Sequence, residues 1–295
     1  MKLKTLVLAT LLTVTATASY AGNFVQLTNG NGTILSTVNG GIKSGAQNPN
    51  ADQFHLLVQD ATYLAGYEAS NPNGFVVAST IDYATHVGNP NNPANIKSTG
   101  TLTLLDWRVT TGVDLSPGSK QATVYDFVYQ DSADGKLVFA TRYLNQVANN
   151  EEANFLYRYN FSTTGTYTPQ VAWLFSSDND LRLYEAALTD DHSFNSVVSY
   201  NQNVVRQKGD FSVSEGNPWS GLFLVKTDAQ YYSLGSKAIG YFQAGEEGQP
   251  VVGGFISGFV ASATAVPEPQ SYALMMAGLS LVGIAARRRK NQGAA

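Results

Sequence analysis

Tyr125-Asp126-Phe127-Val128-Tyr129, then Asp134-Gly135, then Leu137-Val138-Phe139-Ala140-Thr141: this stretch reads as two strands folded back on one another. Both arms are rich in aromatic and β-branched residues, which suit a pleated, half-buried surface. Asp-Gly between them is the favoured chemistry of a tight hairpin turn, because glycine takes a positive φ at no steric cost. Working outward, the same texture recurs at 54–58, 75–81, 101–109, 123–129, 136–143, 154–161, 170–175, 222–227, 238–243 and 252–260, with Gly, Asn, Ser and Pro clusters between the runs. Strand-sized runs at such intervals predict a mainly β fold: an antiparallel β-sandwich or a jelly-roll-like, barrel-like domain. Helix is scarce, and only 145–153 and 233–239 read as a turn or two. The span 204–250 reads as the most irregular part, 22–53 as a flexible lead-in and 88–95 as a long surface loop, the last two for their Asn and Gly content. No periodic repeat of a propeller or solenoid is present.

Composition supports a packed core. Hydrophobic residues make up 43% of the chain and aromatics 11%, while charged residues are held to 14%, far from the signature of disorder. Cysteine is absent, so neither disulfides nor thiolate chemistry nor a Cys-based metal site is available. Six of the 18 cationic residues lie in the two terminal segments, against one (Glu268) of the 22 acidic ones, which leaves the central domain at a net charge of about −9. Nucleic acid is a poor partner for such a surface, because it demands a basic patch.

Both ends carry addresses. Lys2 and Lys4 precede an apolar stretch from 6 to 18, followed by Ser19-Tyr20-Ala21; a positive start, a short apolar run and a small-x-small site read as a secretory signal peptide at 1–21, cleaved between Ala21 and Gly22. At the other end, 272–286 is fifteen residues without a charge, slightly under the ~17–25 of a membrane-spanning helix. Arg287, Arg288, Arg289 and Lys290 follow at once. Such a basic cluster acts as a stop-transfer and orientation signal that keeps the arginines cytoplasmic and the domain outside. The organisation expected is a signal peptide, a single all-β domain over 22–264, and a tail over 265–295 holding one transmembrane helix and its basic end.

Val266, Pro267, Glu268 and Pro269 stand just before that apolar segment, which contains Leu274, Gly278-Leu279 and Leu281-Val282-Gly283 and ends on Arg287-Arg288-Arg289. This series resembles the PEP-CTERM sorting signal of Gram-negative bacteria that make exopolysaccharide. The resemblance covers about a tenth of the chain, and what makes it specific is the coupling of the triplet to the helix and the basic end. It implies an exosortase-type membrane protease as partner, cleavage near the triplet, a transient stay in the inner membrane with the domain in the periplasm, and then release or transfer to the cell surface or extracellular matrix. The physics is compatible, since Pro267 and Pro269 keep the backbone extended, as a protease requires.

The domain itself carries little readable chemistry. His55, His86 and His192 are far apart and none has a second metal ligand at a helical or hairpin spacing. Asp178-Asn179-Asp180 and Asp190-Asp191 offer oxygens of the kind calcium takes, but neither follows the calcium-loop pattern and both read as solvated turns. A Gly-x-Ser-x-Gly nucleophile elbow is missing. No catalytic residue, metal site or cofactor is assigned, which favours a non-enzymatic role. Glycoside hydrolases need two carboxylates about 5–10 Å apart, and Glu246-Glu247, or Asp126 with Glu185 or Glu215, are available. Trp107, Trp173, Trp219 and Tyr231-Tyr232 are candidates for stacking on sugars, although large aromatics in a β-domain more often fill the core. Two turn-rich loops, 214–221 and 244–250, place Glu215, Trp219, Glu246 and Glu247 where binding groups are often held. The expected function is an exported surface or matrix component, structural or interacting, linked to exopolysaccharide or biofilm; the alternative is a polysaccharide-binding lectin-like domain or a glycan-acting hydrolase.

Overall fold

The computed structural model describes residues 21–27, 35–36, 54, 56–58, 78–87, 93–114, 122–144, 154–160, 169–174, 183–192, 199–209, 220–243 and 252–263. Within them the chain is mainly β and antiparallel, as the strand pattern predicts. The strands are β1 (Ala21–Gly22), β2 (Val25–Gln26), β3 (Leu35–Ser36), β4 (Leu57–Val58), β5 (Thr80–Val87), β6 (Ile96–Val113), β7 (Ala122–Asp131), β8 (Leu137–Leu144), β9 (Phe155–Tyr159), β10 (Gln170–Leu174), β11 (Leu183–Leu188), β12 (Val204–Gly209), β13 (Leu222–Lys226), β14 (Tyr231–Gln243) and β15 (Val252–Ser262).

The hairpin of the opening stretch is β7 and β8, in the register Tyr129↔Val138 and Phe127↔Ala140. Its turn is longer than the two-residue Asp-Gly turn expected. Asp131 N donates to Lys136 O and Gly135 N to Asp131 O, so residues 132–135 form the loop. Within this loop Gly135 alone takes the left-handed conformation, at φ 72°, and that is the position glycine is needed for.

The first sheet runs β1-β5-β6-β7-β8-β13-β10-β2, with β4 also on β5. It is curled until its ends meet. Ala21 and Gly22 pair with Val87 and His86 of β5, whereas Val25 and Gln26 pair with Val171 and Gln170 of β10. One segment later, Leu56 N donates to Trp173 O of β10, Trp173 N donates to Phe54 O, and Leu57–Val58 pair with Ala84 and Tyr83 of β5. Both segments therefore stitch β10 to β5. The inner face is filled by Phe24, Leu56, Ile81, Tyr83, Leu102, Phe127, Tyr129, Val138, Ala140, Leu174, Leu222 and Leu224.

The second sheet, in the order β15-β14-β9-β12-β11-β3, packs on the outside of the first. Val124, Val128, Phe139, Tyr143, Trp173, Phe223 and Val225 from one sheet share a core with Leu156, Ala186, Leu188, Val205, Ile239, Ile256, Phe259 and Val260 from the other. Strand alternation explains the division: on β7, residues 124 and 128 face the second sheet while 127 and 129 face the inside of the curl. One ion pair crosses this core. Arg158 donates to Asp126 Oδ1 at 2.5 Å and to Ala140 O at 2.9 Å, and Asp126 Oδ2 accepts from Phe259 N at 2.7 Å. Gly258 gives the carboxylate its approach, because a Cβ there would collide with Asp126.

Three expectations need correction. Residues 233–239 are not helical but lie in β14, where the register with β15 shifts between Gly235 and Ile239; a bulge there breaks strand periodicity and imitates a turn of helix. The 204–250 span is less irregular than its sequence implies, since it holds β12, β13 and β14. The 154–161 run ends as a strand at Tyr159 because Asn160 turns left-handed at φ 66°. The stretch 145–153 lies outside the described residues.

Candidate functional site

On the solvent side of the second sheet, alternation along β9 aligns Phe155, Tyr157 and Tyr159, with Phe242 of β14 and Val204 of β12 beside them. Tyr157 and Tyr159 stack at 5.9 Å between ring centroids, and Tyr159 meets the edge of Phe255 at 5.4 Å. Phe255 is 53% exposed. The Lys237 ammonium, displaced into the β14 bulge, sits over the Phe255 ring at 4.8 Å.

At the other end of this row the chain leaving β11 folds back over the sheet. His192 stacks on Phe242 with centroids 4.2 Å apart and planes 20° apart, and its Nδ1 lies 2.9 Å from the Tyr157 hydroxyl. That hydroxyl donates to Asp191 O at 3.0 Å. With the phenol proton committed there, Nδ1 carries the imidazole proton and donates to the phenol oxygen. Arg206 also reaches Asp191 O, at 3.2 Å, and covers the Phe155 ring at 5.1 Å. Burial pushes the His192 pKa below its ordinary 6.5, against the opposing pull of Asp191 and Asp190. Burial likewise pushes the Tyr157 phenol up, and the Tyr159 phenol up to about 12. Both phenols therefore stay protonated. Phe155 and Tyr157 are themselves buried, so the rings presented at the edge of this cluster are those of half-buried Tyr159 and exposed Phe255, with the Lys237 ammonium beside them.

The structure separates the residues that the sequence grouped. Trp107 is 45% exposed on β6, beyond the reach of β5, whose pairing ends at Thr103; Tyr231 is also exposed, at 43%. Trp173 belongs to the shared core and Tyr232 packs against it. Asp126 and Glu185 cannot flank one cleft. Asp126 is buried between the sheets with Arg158, while Glu185 pairs with Lys208 at 3.5 Å on the opposite side of the second sheet. Asp190 accepts from Ser199 Oγ and Asn201 Nδ2, so its carboxylate serves a local turn. No group of three or more His, Asp or Glu side chains converges as a metal site among the described residues. His86 is buried in β5. Ala21 and Gly22, the expected cleavage point, form β1. His55, Asp178, Asp180, Glu215, Trp219, Glu246, Glu247, the sorting residues Val266 to Pro269, the 272–286 span and Arg287 to Lys290 lie outside the described residues. Among the described residues no helix is long and apolar enough to cross a membrane.

The sequence reading missed the alignment of Phe155, Tyr157 and Tyr159 on one face of the strand, although Phe-Leu-Tyr-Arg-Tyr displays it by alternation. It had no means of finding His192 and Phe255, which reach the row from β11 and β15. Comparison with curated proteins and with solved structures returns no match for the chain. The family model of the PEP-CTERM protein-sorting motif matches residues 265–290. That motif is the recognition signal for exosortase, a membrane protease, and implies export with a membrane-anchored precursor. The chain is thus a PEP-CTERM domain-containing protein, with its sorting motif beginning at residue 265, shortly after β15, the last strand among the described residues.

Proposed function

We propose that the protein is exported through its 1–21 signal peptide and held briefly in the inner membrane by 272–286 with its β-domain in the periplasm. Exosortase then cleaves it near Pro267 and Pro269. The product acts at the cell surface or in the extracellular matrix as a non-enzymatic structural or interaction component, in the company of exopolysaccharide and biofilm. The sorting motif at 265–290 is the observation that carries this reading. Intact-mass measurement on the extracellular protein tests it. A species lacking 272–295 is expected, and one retaining them replaces sorting with a plain C-terminal anchor.

A second reading, a lectin-like domain for polysaccharide, is favoured by exposed Phe255 against half-buried Tyr159, with Lys237 over the Phe255 ring. Stacking on such rings resembles the aromatic contacts by which proteins hold other flat or ring-shaped ligands. Binding of the host's own polysaccharide to the wild type and to Tyr159→Ala and Phe255→Ala variants decides it; equal binding by all three removes this face. New reducing ends after incubation with the polysaccharide are the mark of the hydrolase alternative, for which Glu215, Glu246 and Glu247 remain the candidate carboxylates.

A further inference from the structure

Where the inside of the curled sheet meets the β7–β8 turn, a lysine is enclosed by two carboxylates. Lys226 Nζ, on β13, lies 2.7 Å from Asp131 Oδ2 of β7 and 2.8 Å from Asp134 Oδ2 of the turn. Asp131 is fully buried, Lys226 is 5% exposed, and the ammonium sits over the Phe24 ring at 4.9 Å. The two oxygens of Asp131 are held differently. Oδ1 accepts from Ala133 N at 2.9 Å, and Oδ2 accepts from the Tyr83 hydroxyl at 2.7 Å.

An ion pair that merely clips the turn to the sheet needs only two of these groups. The full set is the equipment of a condensation. We infer that Lys226 and Asp131 join in an intramolecular amide, cross-linking β13 to β7 across 95 residues of chain. Asp134, partly open to solvent, takes a proton from the ammonium and frees the Nζ lone pair. The amine attacks Asp131 Cγ. Charge developing on Oδ1 meets the Ala133 N–H, as in an oxyanion hole, and the Tyr83 hydroxyl supplies a proton to the departing Oδ2. The Nζ–Cγ bond forms and the Cγ–Oδ2 bond breaks. Two of the three ammonium protons leave with Oδ2 as water, the third stays on the amide nitrogen, and Tyr83 and Asp134 end as they began. Nothing is oxidised or reduced. Burial favours the product, because an amide avoids the desolvation cost of two enclosed charges. Burial and the Asp131 carboxylate also keep the Tyr83 phenol protonated until it is needed. For an exported domain without a cysteine, such a bond does the work of a disulfide that no reductant can open.

Tryptic mapping of the wild-type protein tests this. The expected product is a branched peptide in which residues 121–136 are joined to 209–237, lighter than the two together by one water, with no cleavage after Lys226. Recovery of 121–136 as an unmodified linear peptide, with cleavage after Lys226, overturns the proposal. Lys226→Arg keeps a cation opposite Asp131 and is expected to give only linear peptides and a lower Tm. Asp134→Asn is expected to reduce the cross-linked fraction at unchanged circular dichroism; undiminished cross-linking in that variant overturns the role given to Asp134.

Discussion

His192 is the residue whose protonation the fold holds most visibly against its own preference. Its ring lies on Phe242 and donates from Nδ1 to Tyr157, and burial depresses its pKa below 6.5, the Asp190 and Asp191 carboxylates raising it and Arg206 lowering it further. The sign follows from linkage. With the folded pKa below the unfolded one, the unfolded chain binds the proton more readily in acid, so the stability contributed by the neutral ring is present above about pH 6.5 and lost as pH falls through and below it. Thermal melts from about pH 8 down to about pH 5 are therefore expected to show a steeper loss of Tm in the wild type than in His192→Phe, whose ring keeps the stack without titrating. Parallel curves for the two proteins mean that His192 is not held neutral by its neighbours. None of this was legible in the sequence, where His192 reads as a lone histidine, on the surface or satisfied in the core, because its partners arrive from β9 and β14.

Arg158 shows what an element contributes beyond its own pattern. β9 is short, yet it lies in the middle of the second sheet, pairing with both β12 and β14, and its one inward cation bonds to β7, β8 and β15. Arg158→Ala leaves Asp126 buried without its partner, and a loss of about 3–5 kcal/mol is expected in chemical denaturation. Replacing both by leucine is expected to recover most of that loss, since an apolar pair of similar volume often matches a buried ion pair; a double variant as unstable as the single one indicates that the geometry around Gly258 and Phe259 needs the carboxylate itself. At this scale the sequence was read well for β7, β8, β10, β13 and β15, whose apolar runs announce them. It was read poorly for β11 and β12. Arg206 and Lys208 point to the outer face while Val205 and Gln207 point inward, so β12 presents a charged texture that resembles a loop. The misreading of 233–239 has the same origin, since only pairing with β15 distinguishes a bulged strand from a helical turn.

For the whole molecule the decisive tests lie in the tail. On the proposed reading of 272–286 as a membrane span, replacing Arg287, Arg288 and Arg289 with Asn is expected to weaken retention, because a cationic cluster resists translocation. Replacing Pro267 and Pro269 with Ala is expected to leave insertion unchanged and to slow processing, so that uncleaved, membrane-bound precursor accumulates. Fractionation followed by blotting for the domain separates the two failures. Identical behaviour of both variants and the wild type means that neither the triplet nor the arginines are being read.

The sequence by itself determined the β class, the lack of disulfides, the acidic domain and the address at its C-terminal end, because each depends on composition or on residues adjacent in the chain. Only the tertiary structure decided that residues 21–27, 54 and 56–58 bring the two ends of the first sheet together, that Asp126 and Glu185 lie on opposite sides of the second, and that Lys226, Asp131 and Tyr83 share one buried corner with Asp134 at its mouth. These are contacts between residues tens of positions apart. Local propensity places each such residue on a strand and often on the correct face, but register and curl select its neighbours across the chain, and neither is encoded in any short stretch.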